Sequence, residues 1–151
     1  MTNFQRVGSI SNAHIGRDFE DIAYAHFIDL GYDIIKDVGL PIGLERKKNH
    51  RFDLGTPSNA VEKIIIECKS HRWTRPSDNV PSAKLTVWNE AMYYFHLAPA
   101  GYRKILFVLR DFSVKRNETL GEYYIRTYGH LIPNDVEIME YDEVNQSVRV
   151  L

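Results

Sequence analysis

Apolar residues along the chain fall into a helical rhythm and an alternating one, and the two take turns from one end to the other. Ile15, Phe19, Ile22, His26 and Leu30 recur at helical spacing, with Ala23 and Phe27 widening the stripe. This predicts a helix capped by Ser11 or Asn12, running to about Leu30 and stopped by Gly31. Tyr32 to Val38 and Leu40 to Glu45 read as two strand-like pieces split by Gly39 and Pro41, followed by a basic loop and a short strand around Arg51 to Leu54. Lys63 to Lys69 is the next strand, and a polar loop from Ser70 to Pro81 leads to a second helix from Ser82 to about Leu97. Its stripe is Leu85, Trp88, Met92 and Phe95, and Pro99 and Gly101 end it. Arg103 to Leu109 is a strongly apolar strand, Glu118 to Tyr128 a third helix, and Val136 to Tyr141 and Ser147 to Val150 are late strands. With no repeat, low-complexity segment or long linker, residues 1-151 are expected to form a single α/β domain.

The strand from Lys63 to Lys69 carries the oddity. Alternation puts Ile64, Ile66 and Cys68 on one face and Ile65, Glu67 and Lys69 on the other. A carboxylate and an ammonium thus share one face of a strand that is otherwise β-branched and core-like, a placement that is costly unless the charges are paired or bound to a metal. A weak surface ion pair at a strand end is the simplest account of an isolated Glu-x-Lys.

Composition narrows the classes. The 151 residues are 44% hydrophobic, enough for one sizeable core, and the net charge of −1 announces no nucleic-acid binder as a whole. Local balance differs, because Arg46, Lys47, Lys48 and Arg51 crowd one segment and Lys69, Arg72 and Arg75 another, while Asp135, Glu137, Glu140, Asp142 and Glu143 make the end acidic. Cys68 is the only cysteine, which excludes an internal disulfide or a multi-cysteine zinc cage and fits a reducing compartment. The N-terminus has no apolar signal region, and the longest apolar run, Ile105 to Leu109, is too short to span a bilayer, so a cytoplasmic protein without membrane association is expected.

Two further acids come into range of Glu67. Asp53 sits in a short strand joined by a connection to that of Glu67, so their side chains can share an edge. Glu20 falls at the border of the first helix's apolar stripe, on the side of Gly16, where a missing side chain leaves room for a close approach. A solvated helix acid is the plainer account of Glu20 alone.

The order of Glu20 in GRDFE, Asp53 in FDLG, then Glu67 and Lys69 in IECKS, followed by a helix and an apolar strand, resembles the PD-(D/E)xK nuclease superfamily. Its compact members include restriction endonucleases and archaeal-type Holliday junction resolvases. The likeness covers about residues 12 to 110, with Phe52 where the name-giving proline would stand. The basic N-terminal residues typical of the resolvases are replaced by Asn12 and His14, so junction specificity does not follow. The resemblance implies a restriction endonuclease-like three-layer core with a central mixed sheet flanked by helices, and a metal-dependent DNA endonuclease acting as a homodimer. Glu20, Asp53, Glu67 and Lys69 would be its catalytic residues. Mg²⁺ or Mn²⁺ would be held by Asp53, Glu67 and the main-chain carbonyl of Cys68, with Glu20 serving a second metal or acting through water. Lys69 would orient the attacking water and stabilise developing charge. The Cys68 thiol faces away and reads as a small hydrophobe.

Around that site, Arg46, Lys47, Lys48, Arg51, Arg72 and Arg75 are candidate phosphate contacts. Trp73 either stacks on a base or sugar or packs in the core. His50, His71 and His96 lack metal-site spacing and are read as solvated or phosphate-contacting, with no zinc proposed. Asn89 and Tyr93 lie off the second helix's apolar stripe, either as a polar helix face or toward a substrate groove, and Tyr123, Tyr124 and Tyr128 are read as packing. An RNA nuclease and a non-catalytic nucleic-acid-binding or assembly module are the alternatives, the latter disfavoured because Asp53, Glu67 and Lys69 are all present.

Overall fold

A computed structural model describes the backbone of residues 4–151 and the side chains of residues 16–151. Asn12, His14 and the side chains of the expected Ser11 or Asn12 cap lie outside the described side chains. The first helix, α1, spans Phe4–Asp29 and so begins before that cap. Ser and Asn cost only a few tenths of a kcal/mol inside a helix, and nothing obliges the backbone to start at them. Its end is where the sequence places it. Gly31 adopts φ of 90°, its N–H reaches the Ile28 carbonyl at 2.9 Å, and the Tyr32 N–H reaches that of Phe27 at 3.1 Å, a left-handed helix stop.

Six strands form one mixed sheet in the order β1-β2-β3-β4-β7-β8. In chain order these are β1 (Ile35–Ile42), β2 (Lys48–Gly55), β3 (Ile64–Lys69), β4 (Arg103–Leu109), β7 (Val136–Asp142) and β8 (Ser147–Val150). Between β4 and β7 lie a small hairpin, β5 (Phe112–Ser113) and β6 (Glu118–Thr119), then α3 (Leu120–Tyr128) and a 3-10 turn at Gly129–Leu131. β1, β2 and β3 pair antiparallel, β3, β4 and β7 parallel, and β7 and β8 antiparallel. The parallel centre is covered on both faces, which is why β4 reads as an unbroken apolar run.

Two cores flank the sheet. On one face α1 contributes Phe19, Ala23 and Phe27 against Leu54, Ile64, Ile66, Ile105 and Phe107. On the other, α2 (Ser82–Leu97) contributes Leu85, Trp88, Met92 and Phe95 against Phe52, Ile65, Leu106 and Tyr124 of α3. The result is a three-layer α/β arrangement. α3 starts two residues later than Glu118, where Thr119 and Glu122 form a reciprocal capping box.

The expected split of the first strand is corrected. β1 is continuous through Gly39 and Pro41 because it is the sheet's edge, where a proline removes no ladder bond that a neighbour needs. Gly39 allows a close approach, which a shift of the exposed Asn49 side chain could also relieve. A Cβ there would lie 2.7 Å from the Asn49 side chain across the hairpin. β2 also begins at Lys48 rather than near Arg51, which brings His50 into the sheet.

Candidate active site at the divergence of two strands

β2 and β3 pair only at Leu54 with Ile66 and Gly55 with Ile65, then part. Asp53 stands at the parting. Phe52 and Leu54 lie in opposite cores although alternation would put them on one face, so β2 turns about its own axis at Asp53. Opposite this point on β1, Asp37 takes a left-handed φ of 63° and interrupts the ladder between Lys36 and Val38. The turn leaves the Cys68 N–H without a strand partner on that side, and Asp53 Oδ2 accepts it at 2.8 Å. In an extended strand a residue's N–H and C=O point to the same side, so the Cys68 carbonyl also faces the Asp53 edge.

Glu67 is buried beside it. Its Oε1 is 3.1 Å from His50 Nε2 and its Oε2 is 3.7 Å from Lys69 Nζ, both partners being partly buried. His50 in turn stacks on Tyr94 of α2 with ring centroids 3.9 Å apart, which fixes its ring plane. Lys69 therefore has the companion alternation assigned to it, in a setting much drier than an exposed strand end. Glu20 completes the group from α1. It lines a cleft of about 380 Å³ together with Asp53, Asp21, Lys36, Asp37 and Arg17. Lys36 pairs with Asp21 across this cleft.

The electrostatics are those of too many carboxylates for the available cations. Burial, then the neighbouring Glu67, pushes the Asp53 carboxyl up to about 7. Glu20 is also raised, first by burial, against Lys36, with Glu67 adding to the rise. The Cys68 thiol is pushed up by burial and by the same three acids. Among the described residues, Asp53 Oδ1 and the Glu20 carboxylate have no hydrogen-bond partner. Two carboxylates with a main-chain carbonyl suit a hard divalent cation that keeps most of its waters. No three His, Cys, Asp or Glu side chains among the described residues are gathered as a cage.

This imbalance has a measurable consequence. Asp53 has a raised value when folded, so below its ordinary value of 3.8 it costs nothing, and its penalty grows as pH rises toward about 7. The ceiling is about 4 kcal/mol, and about half of that remains once screening of a partly exposed group is allowed for. Asp53→Asn, whose amide oxygen can keep the Cys68 bond, is expected to melt several degrees higher than wild type at pH 8 in EDTA, with the gain gone near pH 4. Equal melting temperatures at pH 8 would show that Asp53 carries no such strain.

The basic residues divide. Arg46, Lys47 and Lys48 are exposed in the turn and strand start between β1 and β2, with Lys47 Nζ held by the Gly43 carbonyl at 2.7 Å. Arg51 is exposed but clamps Asp37 through Nε at 2.7 Å. Arg72 pairs with Glu143 at 2.8 Å on the surface. Trp73 is corrected: it is only 2% exposed, packs on Tyr123, and donates its Nε1–H to the Asp111 carbonyl at 2.9 Å, so its ring offers no stacking surface. Arg75 is largely committed too, giving two hydrogen bonds to the buried Asp111 carboxylate. Asn89 accepts from the Tyr124 hydroxyl, and Tyr93 lines a separate groove with His96 and His130.

Asp111 had no signal in the chain, and the reading of His50 as solvated or phosphate-contacting is corrected by its contacts with Glu67 and Tyr94. Asp111 pins the loop from Ser70 to Pro81 by also accepting the Trp73 N–H at 2.8 Å. His50 braces Glu67, and only its alternation with Phe52 in β2 could have pointed to it. Compared with known proteins, the sequence matches no protein-family model and no curated protein. The fold and site define an α/β domain with a carboxylate–lysine cluster where two antiparallel strands diverge beside a parallel sheet centre. No helix among the described residues is long and apolar enough to cross a membrane.

Proposed function

We propose that this protein is a metal-dependent endonuclease of the PD-(D/E)xK type that hydrolyses DNA phosphodiester bonds, with Glu20, Asp53, Glu67 and Lys69 as its active site. The observation that carries the reading is the meeting of Asp53 with the Cys68 main chain at 2.8 Å, directly beside the Glu67–Lys69 pair at 3.7 Å. A surface ion pair needs neither the buried carboxylate nor the second acid aimed at the same strand end.

Asp53, Glu67 and the Cys68 carbonyl would hold Mg²⁺ or Mn²⁺, and Glu20 would hold a second ion or a water of the first. The cation would supply charge neutralisation at the phosphate and acidify a water. The chain's own residues do the rest. Lys69 Nζ, partly buried and held near Glu67, donates to the attacking water and then to the phosphate oxygen on which charge develops. His50 keeps Glu67 from swinging into solvent. Each site of this kind cuts one strand, so a homodimer would cut two.

The test is incubation of purified protein with plasmid, branched and single-stranded DNA and with RNA, each with Mg²⁺, Mn²⁺ or EDTA. Metal-dependent cleavage of DNA is expected. Cleavage of RNA alone would move the substrate class, and binding without cleavage of any substrate would favour a binding module.

The exposed loop gives an independent expectation. Along β2, Lys48 is about 17 Å from Asp53 at ~3.3 Å per residue, within reach of the same bound duplex. Replacing Arg46, Lys47 and Lys48 by Ala should weaken DNA binding across sequences and reduce the slope of log affinity against log salt by about 2 to 3, the counterions no longer released. An unchanged slope places the loop off the DNA.

A further inference from the structure

Past Lys69 the chain enters a second cleft, of about 570 Å³, between the end of β3 and the start of α2. Lys69, Ser70, His71, Arg72, Thr74 and Lys84 line it, and among the described residues no carboxylate does. We propose that this cleft is a phosphate subsite for the nucleic-acid backbone next to the cleavage position, in which His71 donates its Nε2–H beside the ammonium groups of Lys69 and Lys84. The inference rests on the nuclease reading for the identity of the phosphate, and on the cleft itself for the anion.

The donor is set by the core. Trp88, fully buried, donates its Nε1–H to His71 Nδ1 at 2.8 Å. An imidazole nitrogen that accepts carries no proton, so the ring's proton sits on Nε2. Burial, then Lys69 and Lys84, pulls His71 down to about 4, which keeps the ring neutral at pH 7. Nε2–H has no acceptor among the described residues. A neutral histidine with one nitrogen fixed and the other open is a directed donor rather than a mobile cation.

Charge and helix geometry favour an anion at that position. Lys84 is exposed and has no carboxylate partner among the described residues. It lies in the first turn of α2, whose N-cap, Pro81, lines the cleft and supplies no side-chain cap, and no acid occupies that turn. The Ser82 and Lys84 N–H groups already bond the Val80 and Pro81 carbonyls, which leaves the Ala83 N–H and the helix dipole as the partial positive charge at this end. The polar side chains of the lining present chiefly donors, which matches a phosphodiester, an acceptor with no proton to give. Cys68 lines this cleft while its main chain meets Asp53, so a phosphate here neighbours the one at the acids.

The test has two arms. In long-range ¹H–¹⁵N spectra at pH 7, titration with inorganic phosphate should shift the His71 Nε2 resonance saturably in wild type, with a midpoint about fivefold higher in Lys84→Ala, the loss of one exposed charge-assisted contact. In metal-free binding assays, an oligonucleotide with a single methylphosphonate should bind wild type about fivefold more weakly at one position, and that penalty should vanish in Lys84→Ala. Absence of any His71 response to phosphate overturns the subsite and leaves the nuclease reading standing. A phosphate response without nucleic-acid binding keeps the anion site and overturns its assignment to a nucleic acid.

Discussion

Lys69→Met is expected to bind DNA and Mg²⁺ nearly as wild type does while cleaving roughly a hundredfold more slowly or worse, the usual cost of losing a charge that acts mainly in the transition state. Methionine keeps the length and most of the packing of the lysine stem, so the change removes the ammonium and little else. The position makes the case stronger than the motif does. The Lys69 side chain is only 17% exposed, with Glu67 at 3.7 Å. A lysine held there without a role would add little, since the cost of desolvating a partly buried pair largely offsets its attraction. If Lys69 is only a structural partner of Glu67, stability changes but single-turnover cleavage per folded molecule is unchanged. That second outcome would falsify its catalytic assignment and turn the reading toward a binding module.

Glu67→Gln should go further. The side chain is buried and its two oxygens already face His50 and Lys69, so the amide loses charge without losing volume. Cleavage is expected to fall on the order of a thousandfold, the upper range for removing one preorganised charged group. Metal affinity should fall as well, which separates this variant from Lys69→Met. Calorimetric titration with Mn²⁺ beside single-turnover cleavage makes the distinction. Unchanged metal affinity in Glu67→Gln would remove Glu67 from the metal set even if cleavage were lost. Folding is verified on the same samples by thermal melts, because replacing one member of a buried charged group can destabilise by several kcal/mol.

Much of this architecture is legible in the chain because the strongest signals are packing signals. The α2 stripe of Leu85, Trp88, Met92 and Phe95 is buried as a set, and β4 is the central strand its apolar run implies. The alternation of Ile64, Ile65 and Ile66 between the two cores holds, and with it the shared face of Glu67 and Lys69. What period-two reading could not give is the twist at Asp53, which sends Phe52 and Leu54 to opposite layers and frees the Cys68 N–H for a side-chain acceptor. That twist depends on how β1 and β3 diverge around β2, a tertiary matter with no local code. The same limit explains β1, where Gly39 and Pro41 punctuate a strand only if it is not at an edge.

Trp73 shows the converse. Flanked by Arg72 and Arg75 in a polar loop, it has the composition of a stacking platform. Its burial is decided by Asp111, which is distant in sequence and binds both the tryptophan backbone and Arg75. A loop held this firmly presents His71 to the cleft that Lys84 of α2 also lines, without the tryptophan taking part.

The central claim is that Asp53, Glu67 and Lys69 form one metal-dependent hydrolytic site. It is tested most directly by supercoiled-plasmid cleavage with wild type and Asp53→Ala, purified side by side and verified as folded. Wild type should convert the plasmid to nicked or linear forms in Mg²⁺ or Mn²⁺ and stop in EDTA, while Asp53→Ala leaves it supercoiled. Equal cleavage by both proteins, or none by wild type in either metal, contradicts the account.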